Sequence, residues 1–345
     1  MINGNKYIYA LLIVAILVSC NSNKKNYKAA LKKEITDNQL LDLVQKQTIN
    51  YFWEGGEPYF GMAPERIHLD DIYATSPKHI VTTGGTGFGL MAILVGIKRG
   101  FITKKEAFLR FEKIINFLEK ADRFHGAWPH WLDGKTGKTI PFSQKDNGGD
   151  LVETAFLVQG LLTVAEYFKK GNKKEQALVN KINKLWKTVE WNWYTKDEDI
   201  LYWHWSPDYN WEMNFSIGGY NECLILYVLA TSSPTYPIKP KVYHKGWARN
   251  GKIISNEKYY DEDLILDYYQ FDKSPIGPLF WAHYSYLGLN PKGLSDQYAD
   301  YWKLVKNQAK IHYKYAIDNP KNYKGYGVSI WGLTSSYSVK GYKGH

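Results

Sequence analysis

Apolar residues recur at helical spacing, or in unbroken runs too long for a strand, over residues 38–53, 86–99, 103–122, 151–169, 174–189, 220–231, 278–287 and 294–317. These segments are expected to be helices, and they fall into two kinds. Residues 86–99, 151–167 and 220–230 are apolar nearly all round and should be buried. Residues 103–122, 174–189 and 294–317 carry a charged face and should meet water. The kinds alternate along the chain, inner then outer. Short turns at 100–102, 170–172 and 288–293 lead from inner to outer, whereas long aromatic loops lead back. Strand signals are weak and confined to 200–203 and 252–254. The pattern predicts an all-α fold of the α/α toroid kind, with inner helices ringed by outer ones.

Each inner helix stands behind a glycine pair: Gly84-Gly85, Gly148-Gly149 and Gly218-Gly219. Glycine permits close backbone approach or positive φ, and the recurrence reads as a weak internal repeat. The three helix N-termini should then open on one face together with the long loops. That face is where chemistry is expected.

Behind the second pair, Asp150 and Glu153 stand three residues apart on one helix face, where one carboxylate raises the pKa of the other. The same positions also suit a helix cap and a first-turn acid that complements the helix dipole. Asp146 precedes them, in a stretch that also reads as plain loop. Behind the third pair, Glu222 enters an otherwise apolar run. A carboxylate there is either desolvated and raised in pKa, or paired with a base. Glu212 is a weaker candidate. Glu65-Arg66 reads as an internal ion pair ahead of a ligand contact. His125, His130, His204 and His283 sit among Phe124, Trp128, Trp131, Trp203, Trp205 and Trp281, a setting suited to sugar hydroxyls. Metal ligation is disfavoured because no HxxxH or HxH spacing recurs convincingly. The glycines of residues 84–89 lack both a following GK[ST] and a flanking strand, which argues against a phosphate loop. No GxSxG elbow is present. Neither a metal nor a cofactor is expected.

Composition sharpens this picture. The 28 Tyr, 14 Phe and 13 Trp make 16% of the chain, more than a core requires. Their flat, half-polar faces suit sugar rings, bases or interfaces. The formal charge of +10 is spread along the chain without a basic stripe or a nucleic-acid-binding motif, so nucleic acid is not an expected partner. Lys6, the apolar run 7–18 and Ser19-Cys20 form a secretory signal that ends in a lipobox-like cysteine. Residues 1–19 are expected to be a lipoprotein signal peptide, 20–36 a polar tether and 37–345 the folded domain. Lipidation of Cys20 would hold the protein at a membrane in the cell envelope, facing the periplasm or displayed at the surface. Cys223 is then the remaining cysteine, so no disulfide framework exists. Aromatic loops, several acids on one rim and export together suit polysaccharide hydrolysis, in which one carboxyl protonates the leaving oxygen and another activates water or attacks.

A family resemblance rests on Tyr51-Phe52-Trp53-Glu54, Gly61-Met62-Ala63-Pro64-Glu65-Arg66, residues 82–89, 117–131 and 146–159, Trp203-His204-Trp205-Ser206-Pro207, residues 214–229, Phe280-Trp281-Ala282-His283-Tyr284 and Trp331-Gly332-Leu333-Thr334. Together these stretches resemble the bacterial glucoamylase-like domain proteins, the group that holds the endo-β-1,2-glucanases of glycoside hydrolase family 144. The resemblance implies an (α/α)6 toroid and hydrolysis of a β-glucan with inversion, without metal. Its acids fall on Asp150 and Glu153, in GGDLVETA, and on Glu222, in GYNECLI, with Glu222 assigned as proton donor. Sugar contacts are expected from Glu65, Arg66, Asp146, His125, Trp128, His130, Trp203, His204, Trp205, Trp281, His283 and Trp331. Family members continue past the segment matching 342–345, so the toroid is expected to be incomplete at its C-terminus and this chain a poor enzyme. The alternative expectation is a non-catalytic glycan-binding lipoprotein, a degenerate or truncated homologue.

Overall fold

The computed structural model describes residues 35–67, 79–268, 277–338 and 341–344. The expected signal peptide, Cys20 and most of the tether lie outside these residues. Backbone contacts divide the chain into residues 1–44 and 45–345. Among the described residues the first unit holds the opening turns of helix α1 (Asp37–Trp53).

In the second unit the helices begin where short polar side chains satisfy free backbone N–H groups. Helix α2 (Thr83–Arg99) is capped by Thr82, which accepts from the Gly85 N–H, and it stops at Gly100, whose φ of 71° a side chain would strain. Helices α3 (Lys104–Leu118) and α5 (Lys173–Lys187) open with reciprocal capping boxes, Thr103 with Glu106 and Asn172 with Glu175. Helix α4 (Leu151–Phe168) is capped by Asp150, and α7 (Tyr301–Asp318) by Asp300. Helix α6 (Leu224–Ser232) has no cap from its own segment. Its Ile225 N–H donates to Ser285 Oγ, 60 residues away, at 3.0 Å.

The alternation expected from the hydrophobic pattern is present. Helix α4 packs on α2 along most of its length and on α6 and α5, while α3 packs on α2 and α5. The α2–α4 contact is backbone against backbone. A Cβ on Gly87 would lie 2.0 Å from the Phe156 carbonyl oxygen, and one on Gly160 would lie 2.2 Å from the Gly87 carbonyl oxygen. No other residue type fits at that seam. Helix α4 is long and apolar enough to cross a membrane by length and composition, but its side chains are the centre of the core.

Four expectations need correction. The fold is helix-rich but not purely α. Its loops pair into short antiparallel ribbons: β1 (Ile80–Thr82) with β2 (Trp131–Asp133) and β3 (Thr139–Ile140), β4 (Gly149–Asp150) with β6 (His204–Trp205), and β5 (Leu201–Tyr202) with β7 (Ser216–Ile217). Strands of two or three residues are too short for an alternating pattern to register. Residues 252–254 make only an isolated bridge, from Ile254 to Leu266. The helix expected over 278–287 is two 3-10 turns, Leu279–Ala282 and Tyr284–Leu287. The helix expected from 294 begins at Tyr301, because Asp296 closes a turn on the N–H groups of Tyr298 and Ala299 before Asp300 caps the helix.

Candidate active site

The ribbons bring the N-termini of α2 and α4 to one place. The Thr83 N–H donates to the His130 carbonyl at 3.2 Å, the Asp150 N–H to Trp128 at 2.9 Å, and the Leu151 N–H to Trp203 at 2.9 Å. Pairing of Asp150 with His204 across β4 and β6 sets these two side chains side by side.

Asp150 has no exposed surface. Its Oδ1 accepts from the N–H groups of Val152 and Glu153, so the capping expected of it is real. Its Oδ2 lies 2.9 Å from His130 Nδ1 and 3.8 Å from His204 Nε2, so it serves the cluster as well. His204 Nε2 is also 3.3 Å from Asp146 Oδ2, while Asp146 Oδ1 is buried without a partner among the described residues. Glu153 Oε2 accepts from the Gly84 N–H at 2.8 Å and from Thr82 Oγ1 at 3.5 Å. A first-turn acid of α4 is thereby bound to the first turn of α2. His130 stacks on Phe142, with ring centres 4.1 Å apart.

Electrostatics divides these acids. Burial would raise Asp150, but the His130 hydrogen bond and the charges of His130 and His204 outweigh it and hold the carboxyl below its ordinary range. Burial would lower His130, yet Glu153, Asp150 and Asp146 together push it up to about 9. Glu153 is raised, first by burial and then by the Asp150 and Asp146 charges, against the pull of His130 and the Gly84 N–H. Glu222 lies in the turn just before α6, not inside the helix. Its carbonyl accepts from Ser285 Oγ at 2.6 Å. Burial, helped by the charges of Glu153 and Asp150, pushes its carboxyl up to about 7. A carboxyl half-protonated near neutrality, within the field of an ionised Asp150, is the division of roles that acid catalysis needs.

The other candidates are more scattered. Glu65 and Arg66 form the ion pair expected of them, on a segment whose Pro64 bridges to Val81 beside α2. Trp203 stacks on His204 at 5.7 Å. Trp205 and His125 lie together, with ring centres 4.9 Å apart, and His125 Nδ1 meets Glu190 at 3.1 Å rather than the acid cluster. Trp281 packs against Tyr268 and Tyr220. His283 stands between the two 3-10 turns, and Trp331 is exposed with its edge toward Tyr313. Trp128 needs correction: it is fully buried beneath the Arg123 guanidinium, with Nε1 bonded to the Leu118 carbonyl, and presents no surface to a sugar. Thr82, Gly84, Phe142 and Ser285 escaped the sequence reading. Thr82 and Gly84 sit in a motif whose glycines were noted without their partner. Ser285 carries no local signal. His130, Asp146 and Asp150 bring three ligand atoms within 4.8 Å of one another, a donor set of cation-binding composition. Here those atoms are engaged in the hydrogen-bonded network around His130 and His204.

With this geometry in hand, similarity to known proteins becomes informative. The Glycoamylase family model, described as "Putative glucoamylase", matches residues 214–345. The solved endo-β-1,2-glucanase from Chitinophaga pinensis, in complex with sophorotriose and glucose, is 55% identical, with a TM-score of 0.87 over 90% of this chain and 74% of that one. The chain belongs to the glucoamylase-like family. Among further glucoamylase-like relatives, the exo-β-1,2-glucooligosaccharide sophorohydrolase of Parabacteroides distasonis is 45% identical over 353 residues, covering 96% of this chain and 47% of that protein. The chain thus spans about half the length of this curated relative. A solved β-1,2-glucanase from the same organism is 45% identical, with a TM-score of 0.82 over 90% of this chain and 46% of the other.

Proposed function

We propose that this glucoamylase-like chain is a glycoside hydrolase that cleaves β-1,2-glucan by an inverting mechanism. The observation that carries the reading is Glu222, a half-buried residue whose desolvated carboxyl is raised to about 7 and feels the charges of Glu153 and Asp150, of which Asp150 stays ionised. Family membership supports the substrate class, since the named relatives act on β-1,2-linked glucose chains. In this reading Glu222 protonates the departing glycosidic oxygen. Asp146, with a buried carboxylate oxygen that has no partner among the described residues, takes a sugar hydroxyl. Asp150 and the raised imidazole of His130 hold the local charge fixed while Glu153 stays anchored to Gly84. A second carboxylate takes a proton from the attacking water on the opposite face of the ring, which inverts the anomeric carbon. The alternating inner and outer helices are read as part of an (α/α)6 toroid. Export and lipidation at Cys20 complete the proposal, with Cys20→Ala expected to abolish lipid labelling.

The test is release of reducing ends from β-1,2-, β-1,3-, β-1,4- and α-glucans, with product anomers followed by proton NMR. Release from β-1,2-glucan alone, with the inverted anomer first, is expected. Binding of β-1,2-glucan without new reducing ends would overturn catalysis in favour of a glycan-binding protein.

A further inference from the structure

The β4–β6 ribbon has two faces. Successive side chains on a strand point opposite ways, so His204 faces Asp146 and Asp150 while its neighbour Trp205 faces His125 and Trp193. On that second side lies a cavity of about 450 Å³ walled by Trp193, Trp211 and Tyr236, within the range of small-ligand sites.

The cavity is built rather than incidental. Trp191 and Tyr194 are fully buried, with the Tyr194 hydroxyl bonded to the Phe124 carbonyl at 2.8 Å. These two anchors force the intervening Trp193 outward, where it remains 41% exposed. One face of its indole is backed by His125, with ring centres 3.8 Å apart and planes 14° apart, and the His125 ring is held by Glu190. The backbone then turns back through Lys196 and Asp197, both left-handed with φ of 53° and 61°. That turn sets Asp197 on the cavity wall together with Tyr236.

Charge decides the class of ligand. The Lys196 ammonium is held by Asn214 Oδ1 at 2.8 Å and lies 4.2 Å over the Tyr202 ring, while Glu190 is engaged by His125. No unpaired cation therefore faces the cavity among the described residues, which disfavours an anion. The exposed Asn192 and Asp197 side chains have no hydrogen-bond partner among the described residues and supply acceptors and donors suited to hydroxyls. A rigid, open indole face with an amide and a carboxylate at its rim and no unpaired cation matches a sugar ring, whose axial C–H faces stack on aromatics while its hydroxyls bond at the edge.

We infer that the Trp193–Trp211–Tyr236 cavity is a second glycan-binding site, separate from the carboxylate cluster, that takes a glucose unit of a long β-glucan chain. The choice of glucan rests on the function proposed above. The site holds polymer near the carboxylate cluster on the other side of the ribbon and leaves bond cleavage itself unchanged.

The test uses the full chain with Glu222→Gln, so that polymer is not degraded, in native gels cast with β-1,2-glucan. Retardation is expected, and Trp193→Ala should weaken it about tenfold. Asp197→Ala, at an exposed side chain, should weaken it severalfold with an unchanged thermal midpoint. With Glu222 intact, Trp193→Ala should raise KM for polymer and leave kcat, and both constants for the trisaccharide, as they were. Retardation indifferent to both substitutions would overturn the site even in an active enzyme. Retardation lost with Trp193→Ala in a protein that releases no reducing ends would uphold the site and overturn the catalytic reading instead.

Discussion

Replacing Glu222 with Gln should cost activity and add stability, and both effects come from the same burial. The carboxyl is raised from 4.5 to about 7, with desolvation as the leading cause. Each pH unit corresponds to about 1.4 kcal/mol, so ionising this group inside the fold costs about 3 kcal/mol more than ionising it in water. Below pH 4.5 the folded and unfolded chains both keep the proton and no penalty exists. Between 4.5 and 7 the unfolded chain loses its proton while the folded one retains it, so stability falls as pH rises. Above 7 the penalty is complete. Gln carries no such penalty. Glu222→Gln should therefore match the parent near pH 4 and exceed it at pH 8 by up to about 3 kcal/mol, read by urea denaturation at both values. The turnover of β-1,2-glucan should meanwhile fall by orders of magnitude. A variant no more stable than the parent at pH 8 would mean that the carboxylate is held by a partner rather than desolvated, and the argument for a proton donor would fail.

Other outcomes are open to measurement. Above about pH 7 the parent's kcat/KM should decline as Glu222 ionises; Glu153→Gln removes a neighbouring negative charge and should move that decline to lower pH, and an unmoved profile would remove Glu153 from the coupled set. Asp150→Asn should let burial pull His130 down from about 9, visible in an imidazole NMR titration. Gly87→Ala pushes a methyl group against the α4 backbone and should destabilise the fold by about 3 kcal/mol; normal stability would contradict the tight α2–α4 seam. Ser285→Ala strips the N–H of Ile225 of its acceptor and should cost about 1 kcal/mol in chemical denaturation.

The inner helices were legible because burial on all sides leaves an unbroken apolar run, and the outer ones because a charged face keeps the 3.6-residue period. The structure sets the starts of the outer helices with capping boxes at Thr103 and Asn172. Helix α6 was placed too early because Tyr220 and Cys223 extend the apolar run of residues 224–230 backwards at helical spacing. Only the side chain of Asn221, which accepts from the Cys223 N–H at 2.9 Å, bends this stretch into a turn. Asp150, Glu153 and Glu222 stood out in the sequence from their places behind glycine pairs. Their partners did not. The Glu153–Gly84 bond joins residues 69 apart, and His204 reaches Asp146 only through a two-residue ribbon. Such pairings depend on loop closure, which leaves no periodic trace. Trp128 misled because aromatic neighbours of histidine look alike whether they line a cleft or fill the core.

The seam between α2 and α4 also acts as a gauge. Glu153 belongs to one helix and is held by the main chain of the other, less than one turn from the place where Gly87 lets the two backbones touch. The distance between two helix axes is thus transcribed directly into the position of a carboxylate. Long side chains absorb small displacements by changing rotamer, but a peptide N–H cannot. A single methyl group inserted deep in the seam would therefore reach the carboxylate cluster as a translation of Glu153.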